Sequence, residues 1–250
     1  MNKYCFDNSK VFKEWKRKYN LKWMIPISHS DFCEAKNGKS MLTLTPIKKT
    51  PLEWYSDCAG KKVLGIAAGG GQQMPVFAAL GAVCTLIDIS DFQLQSDFEI
   101  SKREGYNICL VKGDMSERLP FEDNAFDIVV NPASNHYIED PAALFKEIYR
   151  VLKKGGKFLA GLDNCFYWAI DSKTLKVQHK LPINPLKDKR LYDRLKNEGN
   201  AIQFSHFISE QIGGQLKAGF RLIDIYDDTE YGIFQELNIQ TYFATYSIKE

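Results

Sequence analysis

Three consecutive glycines, Gly69, Gly70 and Gly71, follow a short apolar run over residues 63–68. A compact apolar helix pattern then leads to Gly81, and a second apolar run over 83–87 ends on Asp88. Glycines at a strand-to-helix turn let the backbone come close to a ligand. The order strand, glycine turn, helix, strand, acidic tip predicts a nucleotide-binding βαβ unit. A dinucleotide site needs the spacing G-x-G-x-x-G. The count from Gly69 is G-G-G-Q-Q-M, so the third glycine is missing. The looser spacing small-x-G-x-G is met by Ala67, Gly69 and Gly71.

The elements that must hold this turn can be read in order. Asp7, Asn8 and Ser9 offer N-caps to a helix with Val11, Phe12, Trp15 and Tyr19 on one face. Residues 20–60 are irregular and broken by Pro26, Pro46 and Pro51, and Trp23, Trp54 and Tyr55 suggest packing onto a core. The helix after the glycine turn takes Pro75 in its first turn and directs Val76, Phe77 and Leu80 inward. Ser90 and Gln93 form a capping box for the next helix. Strands are expected over 107–111 and 126–130, the second apolar apart from Asp127 and suited to a strand buried on both faces. Asp140 and Pro141 start a helix whose last turn holds Lys153 and Lys154 and which Gly155 and Gly156 terminate. A strand follows over 157–162. Alternation then fails over 163–204, a length that marks a functional insertion. A helix around 209–217 carries Ile208, Ile212 and Leu216 on one face, and strands over 220–226 and 241–248 close the chain. Gly213 and Gly214 inside that helix imply close approach to a neighbour.

Composition bounds the partners. The net charge of +2 gives no strong attraction to nucleic acid or an anionic membrane, and no run of about 18 apolar residues is present. The first residues lack the apolar core of a signal peptide, so a cytoplasmic location is expected. The six cysteines form no C-x-x-C pair and the four histidines have no ligand spacing, so no metal site is expected. Cys84 and Cys109 fall in expected strands, as small buried hydrophobes.

Four landmarks in order resemble the class I S-adenosylmethionine-dependent methyltransferases, within them a bacterial subgroup similar to methyltransferase type 11. They are VLGIAAGGGQQ (63–73), Asp88, GDMSERLPFEDNAFDIVV (113–130) and FKEIYRVLKKGGKFLAG (145–161). The resemblance implies an α/β fold: a three-layer αβα Rossmann-like sandwich whose seven-stranded, mostly parallel sheet has its last strand antiparallel. It implies S-adenosyl-L-methionine as cofactor. The glycine turn at Ala67, Gly69, Gly70 and Gly71 would hold the methionine part, and Asp88 both ribose hydroxyls, since one carboxylate can accept two hydrogen bonds from a vicinal diol. Asp114 would meet the adenine amino group and the Met115 amide a ring nitrogen. Ile89, Gln93 and Asn131 complete the expected cofactor set. Gly65 stands where the family often has an acidic residue, so another group must meet the cofactor's amino group. Residues 1–250 are expected to form one methyltransferase domain, with an N-terminal cap (1–58), a core (59–163 and 205–250) and a substrate lid (164–204).

Methyl transfer from a sulfonium needs alignment and exclusion of water more than acid or base groups. The family places acceptor chemistry after the fourth strand, here residues 131–137. Asn131-Pro132 shares only its first half with the N-P-P-aromatic motif of amino-group methyltransferases. His136 could serve as a general base or as a loop histidine with a structural hydrogen bond. Tyr137, with Phe166, Tyr167 and Trp168, could wall an acceptor pocket or pack a lid. Asp163 and Asn164, at the end of the fifth strand, could reach the acceptor, while His206 suits packing or capping. The leading expectation is methyl transfer to a small molecule. The alternatives are an RNA or protein acceptor, or a binding protein without catalysis.

Overall fold

The computed structural model describes Tyr4, Val11, Glu14 and residues 25–250 apart from Ser172. Of the helical face expected near the N-terminus, Phe12, Trp15 and Tyr19 lie outside the described residues, as does Trp23. Seven strands form one sheet: β1 (Lys62–Ile66), β2 (Val83–Asp88), β3 (Ile108–Lys112), β4 (Phe126–Asn131), β5 (Leu152–Asp163), β6 (Phe220–Asp228) and β7 (Tyr242–Lys249). Their order is β3-β2-β1-β4-β5-β7-β6, with six strands parallel and β7 antiparallel to its neighbours β5 and β6.

Strand alternation sends side chains to opposite faces, and both faces are covered. Val63, Ile128 and Val130 pack with Met74 and Phe77 of α2 (Gln73–Ala79), Ala35 of α1 (His29–Lys36), Trp54 and Tyr55. Leu64, Ile66 and Val129 pack on the other face with Phe145, Ile148 and Val151 of α4 (Pro141–Val151). Helix α3 (Asp91–Glu104) caps with Ser90 Oγ accepting from Gln93 N–H. Gly65 fits this packing: an added Cβ would collide with the Met74 sulfur, so α2 sits directly on β1.

Three expectations are corrected. Helix α4 stops at Val151, and Leu152 is already extended and paired with Phe126. Residues 153–156 loop out of register, Gly155 at φ +74°, while Lys153 Nζ bonds Asp127 Oδ1 at 2.7 Å, so sheet pairing overrides helical pattern. Helix α5 (Ile208–Ala218) buries Gln211, Gly214 and Gln215, while Ile208 and Leu216 are half exposed. At Gly214 a Cβ would lie 2.9 Å from Phe145 Cδ2, so this glycine sets the approach of α5 to α4, whereas Gly213 faces open space. Cys109 is exposed on edge strand β3, unlike buried Cys84.

A strap over residues 43–49 crosses the carboxyl ends of β4 and β5. Thr43 bridges Lys49, and the Ile47 and Lys48 N–H groups donate to Asp228 Oδ2 at 2.9 and 2.8 Å. The Leu44 carbonyl accepts from Ala133 N–H at 2.9 Å and lies directly over Gly161, where a Cβ would overlap it. Gly161→Ala is therefore expected to displace the strap and destabilise the protein by about 1–3 kcal/mol, the range for overpacking. Urea denaturation checks this, and a midpoint equal to wild type contradicts it.

Candidate active site

The residues around the glycine turn meet over the carboxyl ends of the parallel strands. The chain leaves β1 through Ala67, which adopts φ +47°, and Gly70 and Gly71 follow at φ +116° and +75°. Three backbone N–H groups of this turn are taken by carboxylates. Gly69 N–H donates to Asp88 Oδ2 at 3.1 Å, and the Gly70 and Gly71 N–H groups donate to Asp97 Oδ2 at 2.8 and 2.9 Å. Asp97 projects from α3 and is fully buried, a role with no pattern in the chain to announce it. Gln93 does not complete a capping box. Its Nε2 donates to Gly69 O at 3.1 Å, while Ser90 N–H donates to Asp88 Oδ1 at 2.9 Å. Gly69 needs its missing side chain, because a Cβ would sit 2.7 Å from both Asp88 Oδ2 and Gln93 Cβ.

A cavity of about 950 Å³ opens above this floor. Ala67, Gly69, Asp88, Ile89, Gln93, Asp114 and Met115 line one part, and His136, Tyr137, Tyr167 and Trp168 another. Asp114 Oδ1 accepts from the Ser116 N–H and hydroxyl, but its buried Oδ2 has no partner. Gly70, Gly71, Asn131, Asp163 and Asn164 do not line the cavity. Gly70 and Gly71 turn to Asp97. Asn131 Nδ2 ties Ile66 O to Ser134 Oγ, at 2.9 and 2.8 Å. Asn164 is turned away, its Nδ2 bonding Gln240 O and its Oδ1 accepting from Phe166 N–H.

Asp163 stands behind the cavity wall. Its Oδ1 accepts from Cys165 N–H and Trp168 Nε1, and its Oδ2 lies 3.5 Å from His136 Nδ1. The turn carrying His136 is fixed by residues far along the chain. His206 Nε2 contacts the carbonyls of Asn135 and Ile138 at 3.2 and 2.9 Å, so that nitrogen carries the hydrogen. Phe204 N–H donates to His136 O at 2.7 Å, and Asn135 Nδ2 donates to Gln211 Oε1. The second wall also contains residues the pattern did not reveal: Thr43 and Lys49 from the strap, Gln203, and Glu230, Tyr231 and Tyr242 from the β6–β7 end. Their sequence neighbours carry no motif, and strand order brings Glu230, Tyr231 and Tyr242 to β5. Among the described residues, no cluster of three or more His, Cys, Asp or Glu side chains could hold a metal ion. No described helix is long and apolar enough to cross a membrane.

Burial sets the charge states. It raises Asp88 to about 6 and Asp97 to about 7, against backbone hydrogen bonds that lower both. Burial also pushes the Tyr137 and Tyr242 phenols up, and Tyr167 to about 12, so all three are neutral donors near pH 7.

A family model described as a methyltransferase domain matches residues 64–160. A methyltransferase of Bacillus subtilis (strain 168), the uncharacterized protein YbaJ, is 36% identical over 258 aligned positions that span 100% of both chains. The chain belongs to the methyltransferases. Solved structures with the same fold include an S-adenosylmethionine-dependent methyltransferase from Mesorhizobium loti, with TM-score 0.62 and 16% identity over 77% of this chain and 93% of that one. The PH0226 protein of Pyrococcus horikoshii OT3 is similar at TM-score 0.61 and 20% identity, over 96% of this chain and 100% of that one. The seven-stranded sheet with its single antiparallel strand is thus the methyltransferase sheet.

Asp97 makes a prediction for this methyltransferase without ligand. A carboxyl whose folded pKa of about 7 exceeds its ordinary value of 3.8 contributes most below the lower value. That contribution is lost as pH rises through the window to about 7, at no more than about 1.4 kcal/mol per pH unit. The stability of wild type relative to Asp97→Asn should therefore fall between pH 4 and 7 and level off above. Denaturant titrations of both proteins across that range check it, and a difference that grows with pH would overturn it.

Proposed function

We propose that this protein transfers a methyl group from S-adenosyl-L-methionine to a small-molecule acceptor. The observation that carries the reading is a single cavity of about 950 Å³ that joins the glycine-turn floor to an aromatic wall. That volume is at the upper end of the roughly 300–1,000 Å³ found for small-molecule sites, which suits a cofactor and a compact acceptor side by side.

The groups on the floor fit the cofactor. Asp114 Oδ2 is a buried acceptor without a partner, as needed beside an exocyclic adenine amine, with the Met115 N–H next to it in the chain. The Asp88 carboxylate borders the cavity and would accept from both ribose hydroxyls, with Ile89 and Gln93 beside it. Ala67 and Gly69 would let the methionine part lie close to the backbone, while Gly70, Gly71 and Asn131 act from beneath by holding the turn and the end of β4. The bound cofactor supplies an electrophilic methyl on a sulfonium, whose leaving group is a neutral thioether.

The protein's own work is alignment and exclusion of water. His136 faces the cavity with Asp163 behind Nδ1, so it would take a proton from an acceptor, and Asp163 orients it. Tyr137, kept neutral, would donate a hydrogen bond. Residues 164–204 would form the lid carrying Tyr167 and Trp168, with Asn164 anchoring its start, and residues 1–58 would form a cap that includes the strap.

Calorimetric titration with S-adenosylhomocysteine tests the reading. Wild type should bind, and Asp88→Ala should weaken binding at least tenfold. Asp88 can accept from both hydroxyls with both of its oxygens only when ionised, so affinity should hold above pH 7 and fall below about 6. Absence of binding, or an Asp88→Ala protein that binds like wild type, refutes it.

A further inference from the structure

The acceptor half of the cavity has a composition of its own. Its wall is a run of neighbouring rings: His136 to Trp168 at 5.7 Å between centroids, Trp168 to Tyr167 at 5.3 Å, and Tyr167 to Tyr242 at 6.0 Å. The run ends at a carboxylate, because Tyr242 Oη lies 3.4 Å from Glu230 Oε2. Glu230 lines the same cavity, and Tyr231 stands beside it.

The Glu230 charge is not spent on the protein. Oε1 accepts from the Tyr231 N–H at 2.8 Å, and Oε2 has only the long contact from Tyr242. No lysine, arginine or histidine among the described residues lies within 4.0 Å of the carboxylate. Lys49, the lysine on this wall, bonds Met41 O instead. Asp228, the nearest acid in the chain, turns its Oδ2 to the strap. The placement of Glu230 is built: its N–H donates to Thr241 Oγ1 at 2.9 Å, and Thr229 Oγ1 donates to Ile239 O at 2.7 Å. A carboxylate without a cation, bordered by aromatic rings, offers a complementary charge and polarisable faces to a positive group.

We infer that the acceptor is a small-molecule amine, whose nitrogen is held as a cation between Glu230 and the rings of Tyr167, Trp168, Tyr231 and Tyr242. This rests on the methyltransferase reading of the same cavity and adds the acceptor class to it. For transfer, the bound ammonium first gives a proton to His136 or water, and the lone pair so freed forms the new C–N bond as the C–S bond breaks and its electron pair returns to sulfur. Positive charge thereby passes from sulfur to nitrogen. Glu230 and the rings stabilise the charge where it arrives, so they favour the transition state over the neutral amine. Glu230 is raised by burial, with Asp228 adding to the shift, so a cation beside it would lower its cost of ionisation.

The test uses the full chain saturated with S-adenosylhomocysteine, with benzylamine, benzyl alcohol and benzoate as probes in calorimetry at pH 7.5. Benzylamine should bind at least roughly tenfold more tightly than its two isosteres, as cation–π and carboxylate contacts imply. Glu230→Gln should remove that preference while leaving S-adenosylhomocysteine affinity and the melting temperature unchanged. Tyr242→Phe, which keeps the ring, should retain it. Wild type that binds benzyl alcohol or benzoate as well as benzylamine overturns the inference, independently of how any variant folds. So does a Glu230→Gln protein that keeps the preference, or one whose loss is in S-adenosylhomocysteine binding, which would assign Glu230 to the cofactor. Failure of wild type to bind S-adenosylhomocysteine instead refutes the parent reading.

Discussion

Two buried carboxylates beneath one glycine turn are the interaction on which the rest of the site depends. A strand-to-helix turn leaves backbone N–H groups without helical partners. Here the N–H groups of Gly69, Gly70 and Gly71 are satisfied by Asp88 from the tip of β2 and Asp97 from α3. The two acids therefore lock strand, turn and helix into one rigid floor. The arrangement stores an electrostatic cost, since both charges are desolvated and Asp88 repels Asp97. Charge-assisted hydrogen bonds offset part of it, at roughly 1.5–3 kcal/mol each. A floor that is negative and partly unsatisfied suits a cofactor that brings hydroxyl, amine and sulfonium groups.

The opposite wall is assembled by a different rule. Antiparallel β7 places Tyr242 beside Asp163 at the end of β5. That pairing brings the β6–β7 end, with Glu230, against the segment after β5, with Tyr167 and Trp168. Gly161 allows the strap to cross at backbone contact distance and close this wall from above. Buried amides then fix the loop between them, with Gln211 linking Asn135, Asp163 O and His206 O. One half of the cavity is thus set by local turn geometry, the other by long-range pairing.

Much of the fold was legible because its signals are local. The largely apolar run at β4 implies a strand covered on both sides, and the two cores on either face are the physical cause. Asp140 with Pro141 marks a helix start through hydrogen bonding and fixed φ, and α4 begins there. Misreadings arose where tertiary contact competed with local propensity. Lys153 to Gly156 reads as a helix end, yet Leu152 pairs with Phe126 first. Ile208, Ile212 and Leu216 read as one apolar face, yet the tight contact at Gly214 turns the helix so that Gln211 and Gln215 face inward.

The sequence by itself determined that a glycine turn and an acidic strand tip would form a nucleotide floor, because those residues lie within one βαβ unit and their chemistry depends on short spacing. Only the tertiary structure decided which groups support that floor and which line the opposite wall of the cavity. Asp97 stands 26 to 27 positions from the glycines it holds, and Glu230 lies far along the chain from His136. No local periodicity encodes such pairs. They are fixed by the order in which strands lie side by side and by the few close approaches that the glycines permit.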